Sequence, residues 1–276
     1  MVEVLMKTKD LQKHASSIRK KIVTMVYDAQ SGHPGGSLGA ADILTTLYFE
    51  EMDINEENLK TTARDRFVLS KGHISPALYA VLDEKGLLKE DLKTFRQLNS
   101  NLQGHPNMNE VPGVDMSTGS LGQGVSTAVG MAIANKLDKV PYRVYALVGD
   151  GESEEGIVWE AMMAAAHYNL DNLCVIFDQN GLQIDGNVQD VIGPLPLKEK
   201  AEAFGLHTIE CNGNDFAELK AALKEARKTK GKPTAIIAHT VKGKGVSFME
   251  NNYAWHGSAP NAEQYAQAMK DLEEAA

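Results

Sequence analysis

The spacing of apolar residues predicts where this chain forms helices and strands. Over residues 8–30, apolar side chains recur every three or four positions, which is typical of an amphipathic helix. Similar patterns predict further helices over residues 40–52, 75–83, 121–137, 155–167 and 216–227. Short apolar runs predict strands over residues 66–70, 144–148, 173–178, 207–211 and 234–239. Because strands and helices alternate, we expect an α/β fold with a parallel sheet flanked by helices.

Composition and charge narrow the function classes. The 276 residues are 43% hydrophobic and 24% charged, with a net charge of −9, as in ordinary globular proteins. An acidic chain without a basic patch does not favour nucleic-acid binding. The sequence contains no uncharged apolar run of about 18 residues, so we also expect no membrane association.

The two cysteines, Cys174 and Cys211, both fall in predicted strands that read as buried. A disulfide framework or a zinc site is therefore not expected, and isolated core thiols suit a reducing compartment. The first residues are mixed in polarity and do not resemble a signal peptide, so we expect a cytoplasmic protein.

Polar turns follow two consecutive predicted strands. Gly149-Asp150-Gly151 comes directly after strand 144–148, and Asn180 follows strand 173–178. Parallel neighbouring strands end at the same edge of a sheet, where open α/β folds bind ligands. A carboxylate and an amide oxygen can therefore face one point.

The chemistry of these turns favours a diphosphate held through a metal ion. Glycines beside Asp150 let a ligand approach the backbone, and the next helix directs its N-terminus there. Mg²⁺ between a carboxylate and a diphosphate removes their repulsion and prefers such oxygen ligands. We predict Mg²⁺ ligation by Asp150, Asn180 and a carbonyl near Leu182. Each turn alone is equally explained as an ordinary Gly-Asp or Asn-Gly turn.

A nicotinamide dehydrogenase is the main competing class, because strand, glycine and helix also open dinucleotide sites. Its fingerprint requires Gly-x-Gly-x-x-Gly. Here Gly149 and Gly151 are followed by four residues, three of them glutamates, before Gly156. The spacing and the acidic charge both disfavour that class.

Four histidines lie next to glycine or in glycine-containing loops, namely His33, His73, His105 and His256. An imidazole in such a loop suits proton transfer or hydroxyl recognition near neutral pH. We expect these loops to line one polyol or phosphate pocket. The other histidines, His14, His167, His207 and His239, lie on predicted helices or strands, and we interpret them as structural.

A glycine-rich stretch from Thr118 to Gly124 leads into helix 121–137. Its glycines allow close approach of a planar or phosphate-bearing ligand. A helix start that packs tightly on the sheet explains them equally well. The spacing does not separate these two interpretations.

Taken together, Gly149-Asp150-Gly151 with Asn180, the four histidine loops and Thr118–Gly124 resemble the transketolase group of thiamine-diphosphate enzymes. The resemblance covers residues from about 15 to 260. It implies the thiamine-diphosphate-binding fold, with residues 1–276 as one diphosphate-side domain of the transketolase N-terminal type. It implies thiamine diphosphate with Mg²⁺ as cofactors, with Ca²⁺ or Mn²⁺ as substitutes for Mg²⁺.

The resemblance also assigns roles to individual residues. It implies metal ligation by Asp150, Asn180 and the Leu182 carbonyl. The residues expected to contact the cofactor are His73, Gly119, Ser120, Leu121, Asp150, Gly151, Glu155, Asn180 and His256. The histidines expected to line the substrate channel and exchange protons are His33, His73, His105 and His256. Glu155 and Glu160 match acidic residues at the family's dimer contact, although a solvated first helical turn explains them too.

Transketolases carry three consecutive domains, and this sequence resembles only the first. The resemblance therefore implies the N-terminal subunit of a split transketolase, which works with a separate C-terminal subunit, two of each chain. The implied reaction transfers a two-carbon ketol unit between sugar phosphates. Open alternatives are a related enzyme that condenses pyruvate with a sugar phosphate, a transketolase for sulfo-sugars or branched sugars, a nicotinamide dehydrogenase and a non-catalytic module.

Overall fold

A five-stranded parallel sheet forms the centre of the computed structural model, which describes residues 6–274. The strands in chain order are β1 (Arg66–Leu69), β2 (Val144–Gly149), β3 (Leu173–Gln179), β4 (Leu182–Gln183), β5 (Gly186–Asn187), β6 (His207–Asn212) and β7 (Thr234–His239). The sheet order is β1-β2-β3-β7-β6, and every neighbouring pair is parallel. Strands β4 and β5 form a separate antiparallel hairpin.

Helices pack on both sides of this sheet. Within residues 6–274 the α-helices are α1 (Thr8–Ala29), α2 (Pro34–Gly39), α3 (Ala41–Thr46), α4 (Ser75–Glu84), α5 (Gln123–Asp138), α6 (Gly156–His167), α7 (Val188–Val191), α8 (Leu197–Ala203), α9 (Phe216–Lys228) and α10 (Ala262–Glu274). A π-helical turn, Leu47–Glu51, continues α3. Three-residue or four-residue 3₁₀ turns are found at Gly72–Ile74, Leu92–Thr94, Gly151–Glu154 and Tyr253–Trp255.

The side chains of the central strands alternate between two hydrophobic cores. Along β2, Tyr145 and Leu147 pack in the core with α1, α3 and α4. Their neighbours Ala146 and Val148 pack in the other core, with α5, α6 and α8. Because both faces are covered, the central strands contain almost only apolar residues, as expected for a buried parallel sheet.

The predicted α/β architecture and all five predicted sheet strands are confirmed. The prediction of burial fails for part of strand 207–211. Cys211 is buried, but Thr208 and Ile209 are only half-buried and Glu210 is exposed. Strand β6 lies at one edge of the sheet, but edge position is not sufficient for exposure, since β1 at the other edge is mostly buried.

The helix predictions differ from the structure mainly near glycine. Residues 34–39 form α2 despite three glycines, because all six residues are buried and tertiary packing overrides their low helix propensity. Helix α5 begins at Gln123 rather than at residue 121, since Gly122 has a φ of 81°. The patterns also missed α10, which packs against α1.

The parallel arrangement brings the ends of four strands to one edge of the sheet. The segments that leave β1, β2, β3 and β7 there contain Lys71, Asp150, Asn180 and Lys242. No helix within residues 6–274 combines the length and apolarity that crossing a bilayer requires.

Candidate active site

A cleft at the carboxyl edge of the sheet contains most of the predicted site residues. Its lining comes from seven different segments of the chain. The predicted residues in it are His73, Leu121, Asp150, Gly151, Asn180, Leu182 and His256. Larger grooves of about 520 and 450 Å³ run along α1, but neither is lined by any of the predicted site residues. Chemistry rather than size therefore identifies the site.

Asp150 follows β2 directly and is only 2% exposed. One carboxylate oxygen accepts a hydrogen bond from the Gly151 N–H at 2.9 Å. The other accepts from the Gly181 N–H at 2.5 Å, which ties the turn after β2 to the turn after β3. Burial, followed by the nearby charge of Asp178, raises the pKa of Asp150 to about 6.

Asn180 and Leu182 add neutral oxygen atoms to the same cleft. The Asn180 side-chain oxygen accepts from the Leu182 N–H at 3.1 Å. The Leu182 carbonyl accepts from the ammonium group of Lys242 at 3.2 Å, so this oxygen already faces a cation. One carboxylate, one carboxamide and one carbonyl are hard oxygen donors that suit Mg²⁺ together with phosphate oxygens. Residues 6–274 contain no cluster of three or more His, Cys, Asp or Glu placed to hold a metal.

The four predicted histidines form one cluster beside these oxygens. The ring centroids of His33 and His73 are 5.2 Å apart, and those of His33 and His256 are 5.4 Å apart. The ring centroids of His73 and His256 are 5.0 Å apart, and those of His33 and His105 are 6.4 Å apart. The buried Nδ1 atom of His33 has no hydrogen-bond partner among the described residues. It is therefore a buried polar atom whose hydrogen-bonding capacity is unused within the cluster.

The surroundings of all four histidines disfavour the protonated ring and so lower its pKa. Burial is the largest cause, and it lowers the pKa of His33 to about 4 and that of His256 to about 3. Nearby positive charges contribute, chiefly Arg96 at His33 and Lys242 at His256. The pKa values of His73 and His105 are lowered for the same reasons. A neutral imidazole offers one donor and one acceptor nitrogen.

The glycine-rich loop approaches the cluster closely. A side chain at Gly72 would clash with the loop, since its Cβ would lie 2.6 Å from the Thr118 hydroxyl oxygen. Gly119 has a φ of 151°, and a Cβ there would lie 2.9 Å from the ring of His105. Leu121 lines the cleft, whereas Ser120 is exposed on the same loop. The close contacts support the interpretation that these glycines allow tight packing. The position of Leu121 in the cleft also supports the interpretation that the loop contacts a ligand.

Glu155 does not lie in the cleft. It precedes α6 on the outer surface and is exposed, as is Glu160 one turn and a half along that helix. This position fits the predicted contact with a second copy of the chain, and it does not bring the Glu155 side chain among the cleft residues.

Sequence reasoning missed two buried lysines in the site. Lys71 is ion-paired with Asp178, which also accepts a hydrogen bond from Thr240. Lys242 lies 3.1 Å from Nδ1 of His256, and burial, followed by the charge of Lys71, lowers its pKa to about 8. Both follow a strand at the same edge as Asp150 and Asn180. Their position directly after predicted strands is the sequence feature that could have identified both lysines as site residues.

The buried glutamate Glu152 was also missed as a structural element. The sequence pattern identifies it only as one of the acidic residues that disfavour a dinucleotide. In the structure it is enclosed and accepts three hydrogen bonds.

Comparison with known proteins identifies the family. Residues 11–273 match the family described as "Transketolase, thiamine diphosphate binding domain". The chain is 43% identical over 270 residues to one of the subunits of the apulose-4-phosphate transketolase of Phocaeicola vulgatus, a match that covers 98% of this chain and 96% of that relative. It is also 43% identical over 265 residues to a 6-deoxy-6-sulfo-D-fructose transketolase subunit of Clostridium, covering 96% of each chain.

The fold of this chain is also similar to part of a longer transketolase of known structure. The transketolase of Campylobacter jejuni superposes with a TM-score of 0.91 at 38% identity. The match covers 97% of this chain and 43% of that one, so this chain spans less than half of the longer transketolase. The fold and the sequence similarity agree. This chain belongs to the family of transketolase thiamine diphosphate binding domains.

Proposed function

We propose that this chain is the N-terminal subunit of a split transketolase. With a separate C-terminal subunit, it transfers a two-carbon ketol unit from a ketose phosphate to an aldose phosphate. One observation carries the proposal, namely that Asp150 and Asn180 meet the histidine cluster in a single cleft. The relatives that are named as transketolase subunits, and that match this chain over 96% of their length, support a division into two chains.

The oxygen donors fit a divalent metal, and we propose Mg²⁺, for which Ca²⁺ or Mn²⁺ substitutes. Asp150, Asn180 and the Leu182 carbonyl would hold it, and diphosphate oxygens would fill further positions. Asp150 is the only one of the three that carries charge. Its burial in the cleft without a metal is unfavourable, as its raised pKa shows, and a cation would relieve this.

The cofactor would lie between the metal site and the histidines. Gly119, Ser120, Leu121 and Gly151 offer backbone contacts, and His73 and His256 offer ring nitrogens. Thiamine diphosphate, when bound, supplies the nucleophilic carbon for cleaving and forming the carbon–carbon bond. The buried ammonium groups of Lys71 and Lys242 make this end of the cleft favourable for the diphosphate.

The four histidines would handle the substrate hydroxyl groups. His33 and His105 lie at the side of the cluster away from Asp150, and we propose that they line the substrate channel with His73 and His256. Because the surroundings favour the neutral ring, each imidazole can accept a hydrogen bond from a substrate hydroxyl at one nitrogen and donate one at the other. We propose that proton exchange with the substrate hydroxyls takes place through these contacts.

The surface of α5 and α6 is our proposed contact between two copies of this chain. Glu155 and Glu160 are exposed there, and Leu137 and Met163 are 76% and 53% exposed. Gly130, on the outer side of α5, has open space around it. Two copies joined in this way, each with a C-terminal subunit, make the assembly of two of each chain.

A second set of substrates has specific support. The similar relatives are named for apulose 4-phosphate and for 6-deoxy-6-sulfo-D-fructose, so a branched-sugar phosphate or a sulfo-sugar is an alternative donor or acceptor. Condensation of pyruvate with a sugar phosphate also needs this type of cofactor domain. The family match favours all of these over a nicotinamide dehydrogenase.

The proposal is tested by co-expressing the chain with the product of the adjacent reading frame. The purified complex is assayed for ketol transfer with a panel of ketose phosphates, sulfo-sugars and aldose phosphates, with and without thiamine diphosphate and Mg²⁺. We expect transfer that requires both cofactors and both chains. Transfer that survives Asp150→Ala, or a chain that forms no complex with the neighbouring product, would overturn the proposal.

We also propose a cytoplasmic location. Cys174 and Cys211 are both buried free thiols, which suits a reducing compartment. Cell fractionation with an antibody to the chain tests this, and recovery in an extracytoplasmic fraction would contradict it.

A further inference from the structure

Glu152 lies between the two loops that would hold the diphosphate. It belongs to the 3₁₀ turn Gly151–Glu154 directly after Asp150, and only 3% of it is exposed. We propose that Glu152 is a positioning residue that holds the Gly119–Leu121 loop against the Asp150 turn and thereby sets the affinity for thiamine diphosphate. This inference rests on the proposed function, since it assumes that the cleft binds this cofactor.

The hydrogen bonds of Glu152 join three separate segments. Oε1 accepts from the Gly122 N–H at 2.8 Å and from the Ser70 hydroxyl at 2.5 Å. Oε2 accepts from the Gly149 N–H at 3.0 Å. Gly122 is the residue after Leu121, and Gly149 is the residue before Asp150. One carboxylate therefore connects both sides of the proposed cofactor site.

Ser70 extends this connection into α5. Its hydroxyl oxygen accepts from the Val125 N–H at 3.0 Å while the hydroxyl donates to Glu152. The helix lies so close that a Cβ on Gly124 would be 2.6 Å from the Ser70 Cα. The side-chain oxygens of Glu152 thus lie at the N-terminus of α5, where one of them accepts from the N–H of the N-cap residue Gly122.

A side chain with two acceptor oxygens is what these partners require. Two of the three donors are backbone N–H groups, which cannot reverse their role. In Glu152→Gln, the amide nitrogen faces Gly122 or Gly149 in either orientation, so one N–H loses its acceptor. Glu152→Asp is shorter by one methylene group and cannot reach both sides of the site.

Asp65 provides a matched control at the opposite edge of the sheet. It is also buried, and its carboxylate accepts from two backbone N–H groups, Asp53 at 3.0 Å and Arg143 at 2.7 Å. These bonds lie at the amino ends of β1 and β2. Asp65→Asn therefore removes a comparable structural bond without touching the cofactor loops.

The experiment uses the complex with the C-terminal subunit. We expect Glu152→Gln to raise the KM for thiamine diphosphate by about 10–100-fold, the range seen when partners of metal ligands are removed, with kcat at saturating cofactor within about twofold of wild type. Asp65→Asn should lower thermal stability by a similar amount and leave that KM unchanged. Ser70→Ala removes only one donor, and we expect a smaller rise in KM.

Direct cofactor binding gives a second readout. Trp159 donates from Nε1 to the Ser153 carbonyl at 2.9 Å, so its fluorescence reports on the turn that contains Glu152. An unchanged KM in Glu152→Gln and Ser70→Ala, or an equal rise in Asp65→Asn, would overturn the role of Glu152. If Glu152→Gln does not fold, the KM of Ser70→Ala for thiamine diphosphate alone tests the role of Glu152, and an unchanged value overturns it. A wild-type complex that binds no thiamine diphosphate would instead refute the proposed function.

Discussion

The carboxylate of Asp150 accepts a 2.5 Å hydrogen bond from the backbone N–H of Gly181, 31 residues further along the chain. This bond connects the turn after β2 to the turn after β3. It holds the proposed metal ligands Asp150 and Asn180 at the same point of the sheet edge.

Replacing Asp150 should separate cofactor binding from stability. Asp150→Asn keeps the size of the side chain but removes its charge, so we expect Mg²⁺-dependent thiamine diphosphate affinity to fall by at least about 100-fold. In the isolated chain we expect a stability close to that of wild type, because two changes oppose each other. The variant removes a charge that burial and Asp178 disfavour, but it leaves the N–H of Gly151 or of Gly181 without an acceptor. Isothermal titration and thermal denaturation measure the two effects.

Asp138→Asn is the control for that variant, since Asp138 is exposed at the end of α5. It should match wild type in both measurements. Wild-type cofactor affinity in Asp150→Asn would contradict the assignment of Asp150 as a metal ligand.

The buried histidines should make the folded chain sensitive to acid. Burial, followed by the charge of Arg96, lowers the pKa of His33 to about 4. An unfolded histidine titrates at about 6.5, so the unfolded state binds more protons between these values. The contribution of His33 to the free energy of unfolding is therefore fully present above pH 6.5 and is lost as the pH drops towards 4. The resulting decrease in the free energy of unfolding is at most about 3 kcal/mol, and the partial exposure of His33 makes it smaller than this limit.

Urea denaturation at several pH values between 4.5 and 7.5 measures this loss. His33→Asn should give a flatter dependence of the free energy of unfolding on pH than wild type. Equal slopes in the two proteins would show that His33 is not held in its neutral form by the fold.

Lys242 should control the charge state of the histidine cluster. Its ammonium group lies 3.1 Å from Nδ1 of His256 and helps to lower that pKa to about 3, although burial contributes more. In Lys242→Met we therefore expect the pKa of His256 to rise part of the way towards 6.5, as measured by NMR on histidine-labelled protein. Cofactor affinity should fall, because a positive charge near the diphosphate is lost.

Lys244→Met is the matched change two residues further along. Lys244 is partly exposed and pairs with Glu250, so neither the His256 titration nor cofactor affinity should change. A His256 pKa that is the same in Lys242→Met and wild type would contradict the role given to Lys242.

A large side chain on α5 should prevent two copies of the chain from associating. Gly130 is exposed and has open space where a Cβ would lie, so Gly130→Arg fits the single chain. Arginine also favours the helix, relative to glycine, by roughly 1 kcal/mol. We expect an undiminished melting temperature and an assembly of half the wild-type mass by sedimentation equilibrium.

Glu199→Arg, on the exposed side of α8, is the control and should keep the wild-type mass. Full assembly of Gly130→Arg would show that the contact between copies lies elsewhere on the surface.

Local patterns were sufficient for much of the fold because each buried strand must be apolar over its length. The run over 144–148 and the run over 173–178 predicted β2 and β3 to within one residue. Patterns failed where packing overrides propensity, as in the glycine-containing α2. For β6 the pattern predicted the strand correctly but its burial wrongly.

By itself, the sequence determined the parallel α/β class and which turns carry Asp150, Asn180 and the histidines, since both follow from neighbouring residues. Only the tertiary structure decided which distant groups meet. The Lys242 ammonium reaches the Leu182 carbonyl because β7 inserts between β3 and β6. Glu152 finds Ser70 because β1 pairs with β2. Such contacts depend on the order of strands in the sheet, which spacing along the chain does not encode.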